Sequence, residues 1–299
     1  MDLRIRPLAT LDEMRQAVDL QKQYWGDEPE SVIPAHMLFS LANYGGHVLA
    51  AFDGQRLVGI LVGFLGTSGN EPDRPAMANL QYVSKRMVVL PEYRGQGIGY
   101  HLKREQRRIA MKQGVRLITW TFDPLLALNA HLNIRKLGAI SNEYLPDYYG
   151  TSDDGGLTTL GSSDRLLAEW WVTSRRVEER FGGTRGDLML SRYLEAETVI
   201  ANPATFNTAG LPVSPDDIWM PNTSLCLMEI PVSYPVIVRD DPMLAQRWRL
   251  HTRDLFQRLF ALGYVVTDFI HEPYEGHDRA FYLLSQPDKL FEQIDFSQN

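Results

Sequence analysis

The stretch Leu90 to Lys103, LPEYRGQGIGYHLK, sets Gly95, Gly97 and Gly99 on alternate positions between an apolar run and a charged, helix-like run. Glycine lets a backbone come close to a ligand, and it costs conformational entropy wherever it is used. A strand that feeds such a turn and then a helix points several N–H groups one way, and the helix start adds partial positive charge. The chemistry on offer is anion binding, suited to phosphate. Spacing narrows the choice. A triphosphate loop of the form G-x-x-x-x-G-K-[ST] needs a lysine that is missing here. A dinucleotide loop of the form G-x-G-x-x-G needs glycine or alanine where Tyr100 stands. The bland alternative is a tight turn that binds nothing.

Elements on both sides must position this loop. Leu3 to Leu8 alternates like a short strand. Thr10 and Glu13 have capping-box spacing at the head of a helix that includes Met14, Val18 and Tyr24. Residues 34–42 suit a second short helix. HVLAAF and RLVGILVGFLG flank DGQ as a hairpin would. Residues 67–78 read as a polar loop and NLQYVSKRMVVL as a strand. Tyr100 to Gln113 predicts a helix whose basic run, Lys103 to Arg108, reads as its solvated face. Gly114 stops it. VRLITWTF predicts a strand closed by Asp123-Pro124, and a helix follows from about Leu126 to Leu137, ending at Gly138. Beyond lie the strand SDRLLAEWWV, the helix SRRVEERFG, a proline-rich excursion over 201–222 and the strand TSLCLMEIPV. Leu244, Trp248, Leu255, Leu259 and Leu262 mark one face of a long helix, followed by the strands GYVVTDFI and RAFYLL. This order predicts a mixed α/β fold, and its last third loosely echoes the elements around the glycines.

The pattern Arg94-x-x-Gly97-x-Gly99, preceded by MVVLPEY, resembles motif A of the GNAT superfamily of N-acyltransferases. That resemblance implies an α/β fold with a mixed sheet over residues 1–175. It leaves 176–299 as a C-terminal α/β extension, either packed on the first domain or forming a second GNAT-like half. It also implies acyl-coenzyme A as donor. Met87, Val88, Val89 and Leu90 would line the pantetheine arm. Arg94, Gly95, Gln96, Gly97, Ile98 and Gly99 would cradle the pyrophosphate, and Tyr100 would open the helix. FDPLLALNAHLNIRKLGA resembles motif B of the same superfamily at Ala130, Lys136, Leu137 and Gly138. Two departures stand out. Asn129 falls two residues later than in the common pattern, and Ile134 stands four before the glycine, where many members carry a tyrosine acid.

The implied activity is an acyl-CoA-dependent N-acyltransferase acting by direct attack of a small amine, with acetyl as the default group. The alternatives are N-succinyl transfer to amino acids and a non-catalytic acyl-CoA-binding protein. Direct attack needs a deprotonated amine, a donor for the thioester oxyanion and a proton for the leaving thiolate. The reacting centre is expected where NLQYVSKRMVVL and VRLITWTF diverge. Asp123 is either the base, an amine-binding carboxylate, or an Asp-Pro turn residue. Asn129 and Asn133, four apart on one helix face, could hydrogen-bond the donor. Tyr149 is the chosen replacement acid from Tyr144, Tyr148 and Tyr149, the others reading as aromatic packing. His131 reads as surface or structural, and Lys85 and Arg86 as a solvated strand face or a carboxylate site. His271 and His277 lack trustworthy metal spacing, so no metal is expected. Cys226, alone in an apolar strand, reads as buried and structural. With 44% hydrophobic and 22% charged residues the composition is that of a globular protein. A formal net charge of -7 argues against a dedicated nucleic-acid binder. The lone cysteine and the lack of an apolar leader or ~20-residue apolar span point to a cytoplasmic monomer or homodimer away from membranes.

Overall fold

The structure is a computed structural model describing residues 2–26, 32–67, 75–150, 162–184, 186 and 189–286. Residues 68–74 of the expected polar loop lie outside the described residues. The chain forms two compact units. One holds the described residues up to Trp120 together with Glu169–Glu178. The other holds the described residues from Thr121 to Gly150, from Ser162 to Ala168 and from Glu179 onward. Among the described residues the chain passes between the units at Trp120/Thr121, Ala168/Glu169 and Glu178/Glu179.

In the first unit, β1 (Leu3–Pro7), α1 (Leu11–Trp25) and α2 (Ala35–Asn43) precede the hairpin β2 (His47–Asp53) and β3 (Arg56–Thr67). β4 (Leu80–Val89), α3 (Ile98–Lys112) and β5 (Leu117–Phe122) follow. The strands stand side by side as β1-β2-β3-β4-β5, with the Glu169–Trp171 end of β7 (Arg165–Trp171) next to β5. All neighbours up to β4 are antiparallel, and β4 runs parallel to β5. Residues Val48 to Phe52 are all buried, so β2 reads as a continuous apolar run rather than an alternating one. Met14, Ala17 and Leu20 of α1 pack into the same core. The capping box at its head is formed: the Glu13 amide donates to Thr10 Oγ1, and Glu13 Oε2 accepts from the Thr10 amide. Arg6 completes the cluster at 2.7 Å from Glu13.

In the second unit, α4 (Ala127–Ala130) widens into a π-helical turn, His131–Lys136, and β6 (Tyr144–Leu145) pairs antiparallel with the Arg165–Leu166 start of β7. The chain continues through α5 (Arg175–Phe181), α6 (Leu190–Glu195), β8 (Val199–Ile200) and the small ladder β9 (Thr205–Phe206) with β10 (Pro212–Val213). Then come β11 (Leu225–Ile230), α7 (Tyr234–Asp240), α8 (Pro242–Ala261), β12 (Val265–Tyr274) and β13 (His277–Ser285). Their sheet order is β12-β13-β11-β8, with β8 parallel to β11. A strand, a helix and a hairpin whose last strand sits beside the first therefore occur twice: β5-α4-β6-β7, then β11-α8-β12-β13. Two expectations are corrected. α7 was not anticipated, and Leu262 lies beyond α8 and is exposed, while Leu244, Trp248, Leu255 and Leu259 are buried as the stripe predicted. Cys226 is fully buried on β11, and burial pushes its thiol up to about 12.

Candidate functional site

β4 pairs with β3 along its whole length, from Thr67↔Leu80 to Gly59↔Val89. Its pairing with β5 covers only Tyr82↔Ile118 and Val83↔Thr119. From Ser84 onward the two strands part, and the β4 backbone edge runs on to Val89 beyond the paired stretch. A bulge at Lys85, between the Val62↔Arg86 and Gly63↔Ser84 pairs, marks the departure. After Val89 the chain is tied down by Leu90, whose amide donates to the Val58 carbonyl at 2.9 Å. A single tight turn, Pro91–Tyr93, leads into the glycines.

Gly95 and Gly97 have φ of 75° and 80°, the left-handed region that a side chain disfavours. Gly97 is the N-cap of α3 and supplies no capping side chain. The first amides of α3, among them Ile98 and Gly99, have no carbonyl four residues back to donate to. A Cβ added at Gly95 would meet nothing within 4 Å, and one at Gly97 only the His101 ring at 3.9 Å. Atoms of the described residues therefore do not fill the space beside these glycines. The donor set is bare amides at a helix start, which fits a diphosphate. Arg94 is exposed at the loop's edge, its Nε donating to the Val89 carbonyl at 3.2 Å and its guanidinium 5.0 Å from the Tyr24 ring. Arg86 stacks on Trp25 at 4.5 Å. The expected donor-binding residues Met87 to Leu90 and Arg94 to Tyr100 are thus contiguous on one strand–turn–helix.

Lys103 is not on a solvated face. It is 2% exposed, donates to Ser84 Oγ at 2.9 Å and sits 3.4 Å from the Trp120 ring centroid. Trp120 is backed edge-on by Trp170. No carboxylate among the described residues pairs with Lys103, and burial drives its amine well below the ordinary lysine range. Beside it His47 bonds Gln106 at 2.9 Å, and burial, helped by Lys103, lowers the imidazole to about 4. His47 Nδ1 and Gln106 Oε1 are buried with no hydrogen-bond partner in the structure. A polar seam thus underlies the point where β4 leaves β5. The helical stripe Ile98, Leu102, Gln106, Ala110 could have revealed it, because Lys103 falls beside that stripe.

The other candidates belong to the second unit. Asp123 is 6% exposed and fully engaged: Oδ1 accepts from the Leu125 amide at 2.9 Å and from Arg249 at 2.8 Å, and Oδ2 from Arg249 at 2.8 Å. A carboxylate held by a bidentate guanidinium and a turn amide anchors a loop and is a poor base. Arg249 was missed in the sequence, where it shows only as a charge beside Trp248. Asn129 is exposed and Asn133 buried, so the two do not share an environment. The π turn between them breaks the four-residue register, as the Leu137 amide to Leu132 carbonyl bond shows at 2.9 Å. Ile134 is a core residue. Gly138, φ 80°, stops the helix where a Cβ would press 2.8 Å from Arg180. His131 packs edge-on to Phe269. Tyr144 is buried against Phe256 and donates to Asp164 at 2.6 Å. Tyr149 is 37% exposed, with its hydroxyl 3.4 Å from Thr121 Oγ1 at the end of β5. His271 pairs with Asp278 and His277 stacks on Phe206. Among the described residues no group of three His, Cys, Asp or Glu is placed to hold a metal ion. Nor is any helix among them long and apolar enough to cross a membrane.

Fold and loop define a mixed α/β protein with bare glycine amides at a strand-to-helix junction. The family comparison makes this particular: residues 11–138 match the model of the acetyltransferase (GNAT) family. No curated protein matches the chain. Solved structures similar to it include the ribosomal-protein-S18-alanine N-acetyltransferase from Escherichia coli, at 15% identity and TM-score 0.43, over 57% of this chain and 95% of that one. An N-acetyltransferase from Staphylococcus aureus Mu50 gives 15% identity and TM-score 0.43, over 58% and 100%. A polyamine N-acetyltransferase from Drosophila melanogaster gives 15% and 0.43, over 56% and 99%.

Proposed function

We propose that the protein is an acyl-CoA-dependent N-acyltransferase with a small amine as acceptor. The observation that carries this reading is the β4–loop–α3 junction: a strand edge left open beyond Val83, leading to bare amides at Gly95 to Gly99. In this reading the α3 amides and Arg94 hold the donor's pyrophosphate, and the β4 edge from Met87 to Leu90 pairs with its pantetheine amides. A β4 backbone N–H donates to the thioester oxygen as charge builds there. The acceptor amine, having lost its proton to water, attacks the carbonyl carbon. The carbon–sulfur bond breaks as the nitrogen sheds its surplus proton to water, and Tyr149 gives its proton to the departing thiolate and recovers one from solvent. Asp123 holds the turn after β5 rather than taking a proton.

Acetyl is the default acyl group. Succinyl is a second reading, favoured by Lys103, a buried amine with no carboxylate partner among the described residues just where β4 leaves β5. Calorimetry with CoA, acetyl-CoA and succinyl-CoA, followed by thiol release over an amine panel, tests the proposal. Micromolar binding and amine-dependent thiol release are expected. Absence of binding by all three would overturn it, and binding without release over any amine would leave a non-catalytic binder. Gly97→Val should weaken coenzyme binding at least about tenfold while the protein stays folded. The protein around Gly97 leaves its Cβ room, so the fold bears only the backbone strain of about 1–2 kcal/mol.

A further inference from the structure

The hydroxyl of Tyr149 reaches Thr121 from a four-residue turn that could not hold itself. Asp147 in that turn has φ 46°, a left-handed conformation for a non-glycine residue. The Asp147 amide donates to Asp164 Oδ1 at 2.9 Å, the Tyr149 amide to Ser163 Oγ at 3.0 Å, and the Gly150 amide to the Asp147 carbonyl at 2.8 Å. Two carboxylates, Asp147 and the fully buried Asp164, therefore crowd the base of the turn. Arg253 neutralises both: it donates to Asp164 at 2.9 and 2.6 Å and to Asp147 at 3.0 Å. Burial pushes the Asp164 carboxyl up, and Arg253, Tyr144, the Asp147 amide and Ser162 together outweigh it and hold the group below its ordinary range. Arg253 lies one helical turn after Arg249, so one face of α8 grips the turn after β5 and the Tyr149 turn together.

We propose that Arg253, from the C-terminal extension, is a positioning residue for Tyr149, acting through Asp164 and Asp147. This rests on the reading of Tyr149 as the acid for the thiolate. Removing the guanidinium takes from Asp147 its ion-pair partner and from Asp164 its two-pronged donor, which releases the strained turn and lets the Tyr149 hydroxyl drift from the end of β5.

The test compares Tyr149→Phe, Arg253→Met, Arg253→Lys, Asp147→Asn and the double variant Y149F/R253M in the full chain. Tyr149→Phe is expected to lower kcat about 100-fold. Arg253→Met should lower it at least about tenfold with KM for the acyl-CoA within about twofold, and Arg253→Lys should restore part of the loss. In the double variant the losses should not multiply, because Arg253 has nothing left to position. Asp147→Asn, which keeps the Arg253–Asp164 pair, should give a smaller loss of kcat and serves if Arg253→Met does not fold. Hydrogen exchange at the amides of Tyr148 to Gly150 should quicken in Arg253→Met whatever the activity. Unchanged exchange, or multiplicative losses, would overturn the positioning role. Full kcat in Tyr149→Phe would instead overturn the acid reading and this inference with it, whereas a Tyr149-dependent enzyme indifferent to Arg253 would overturn the inference alone.

Discussion

Lys103 brings an amine into the core beside a hydroxyl, an indole ring and the His47–Gln106 pair. Folding strips its water without supplying an acid, so the folded state binds the proton less tightly than the unfolded chain does. The linkage sign follows. Between the lowered folded value and the unfolded value of about 10.4 the unfolded state holds more protons, so over that window this residue makes stability rise with pH. Lys103→Met keeps the length and removes the penalty. Its melting temperature at pH 7 should exceed that of the parent, and the rise in melting temperature from neutral to alkaline pH should flatten. Differential scanning calorimetry at several pH values would show either. A melting temperature that falls at pH 7 would mean that the Ser84 bond and the Trp120 ring outweigh the desolvation. Asp123 teaches the opposite lesson. By chain position its carboxylate reads as a base, an amine-binding group or a turn residue, and the Leu125 amide and a guanidinium 126 residues away both hold it in the turn.

The elements readable from sequence are those whose causes are local. Thr10 and Glu13 predicted the start of α1 because a capping box needs only residues three apart, and the box is formed. Glu13 is held down to about 2, first by the Ala9 amide and then by Arg6 and the Thr10 amide. Its contribution to stability is thus complete above the unfolded value of about 4.3 and is lost as pH falls toward 2. Glu13→Gln should lower stability at pH 6 by about 1 kcal/mol in urea unfolding, with the difference vanishing near pH 2. The glycine loop was equally legible, since backbone φ demands are met within a few residues. Lys103, Arg249 and Arg253 were not, because a charge inside a helical pattern looks solvated until a distant partner covers it. α7 was missed because Pro235 sits at its first turn, where it starts a helix as readily as it breaks one.

Over the whole molecule, the family match at 11–138 runs across the division at Trp120/Thr121, so its last portion belongs to the same compact unit as α8. Truncation after residue 175 would remove Arg249 and Arg253 and strand Asp123 and Asp164 in that unit. Breaking one buried pair by deleting a partner costs about 3–5 kcal/mol, and two such losses rival the stability of an ordinary domain. The truncated chain should show no cooperative thermal transition by circular dichroism. A sharp transition would mean that the matched segment stands alone. The π turn at His131–Lys136 bears on how this chain is compared with any other. Each α-helical residue advances about 100° around the axis, and a widened turn absorbs one residue without that advance. Counting four back from Gly138 therefore reaches Ile134 by number while landing on a different azimuth from the same count in an unbroken helix. A register drawn in letters slips against the register drawn in angles, and a side chain that looks missing from its column can reflect phase rather than loss.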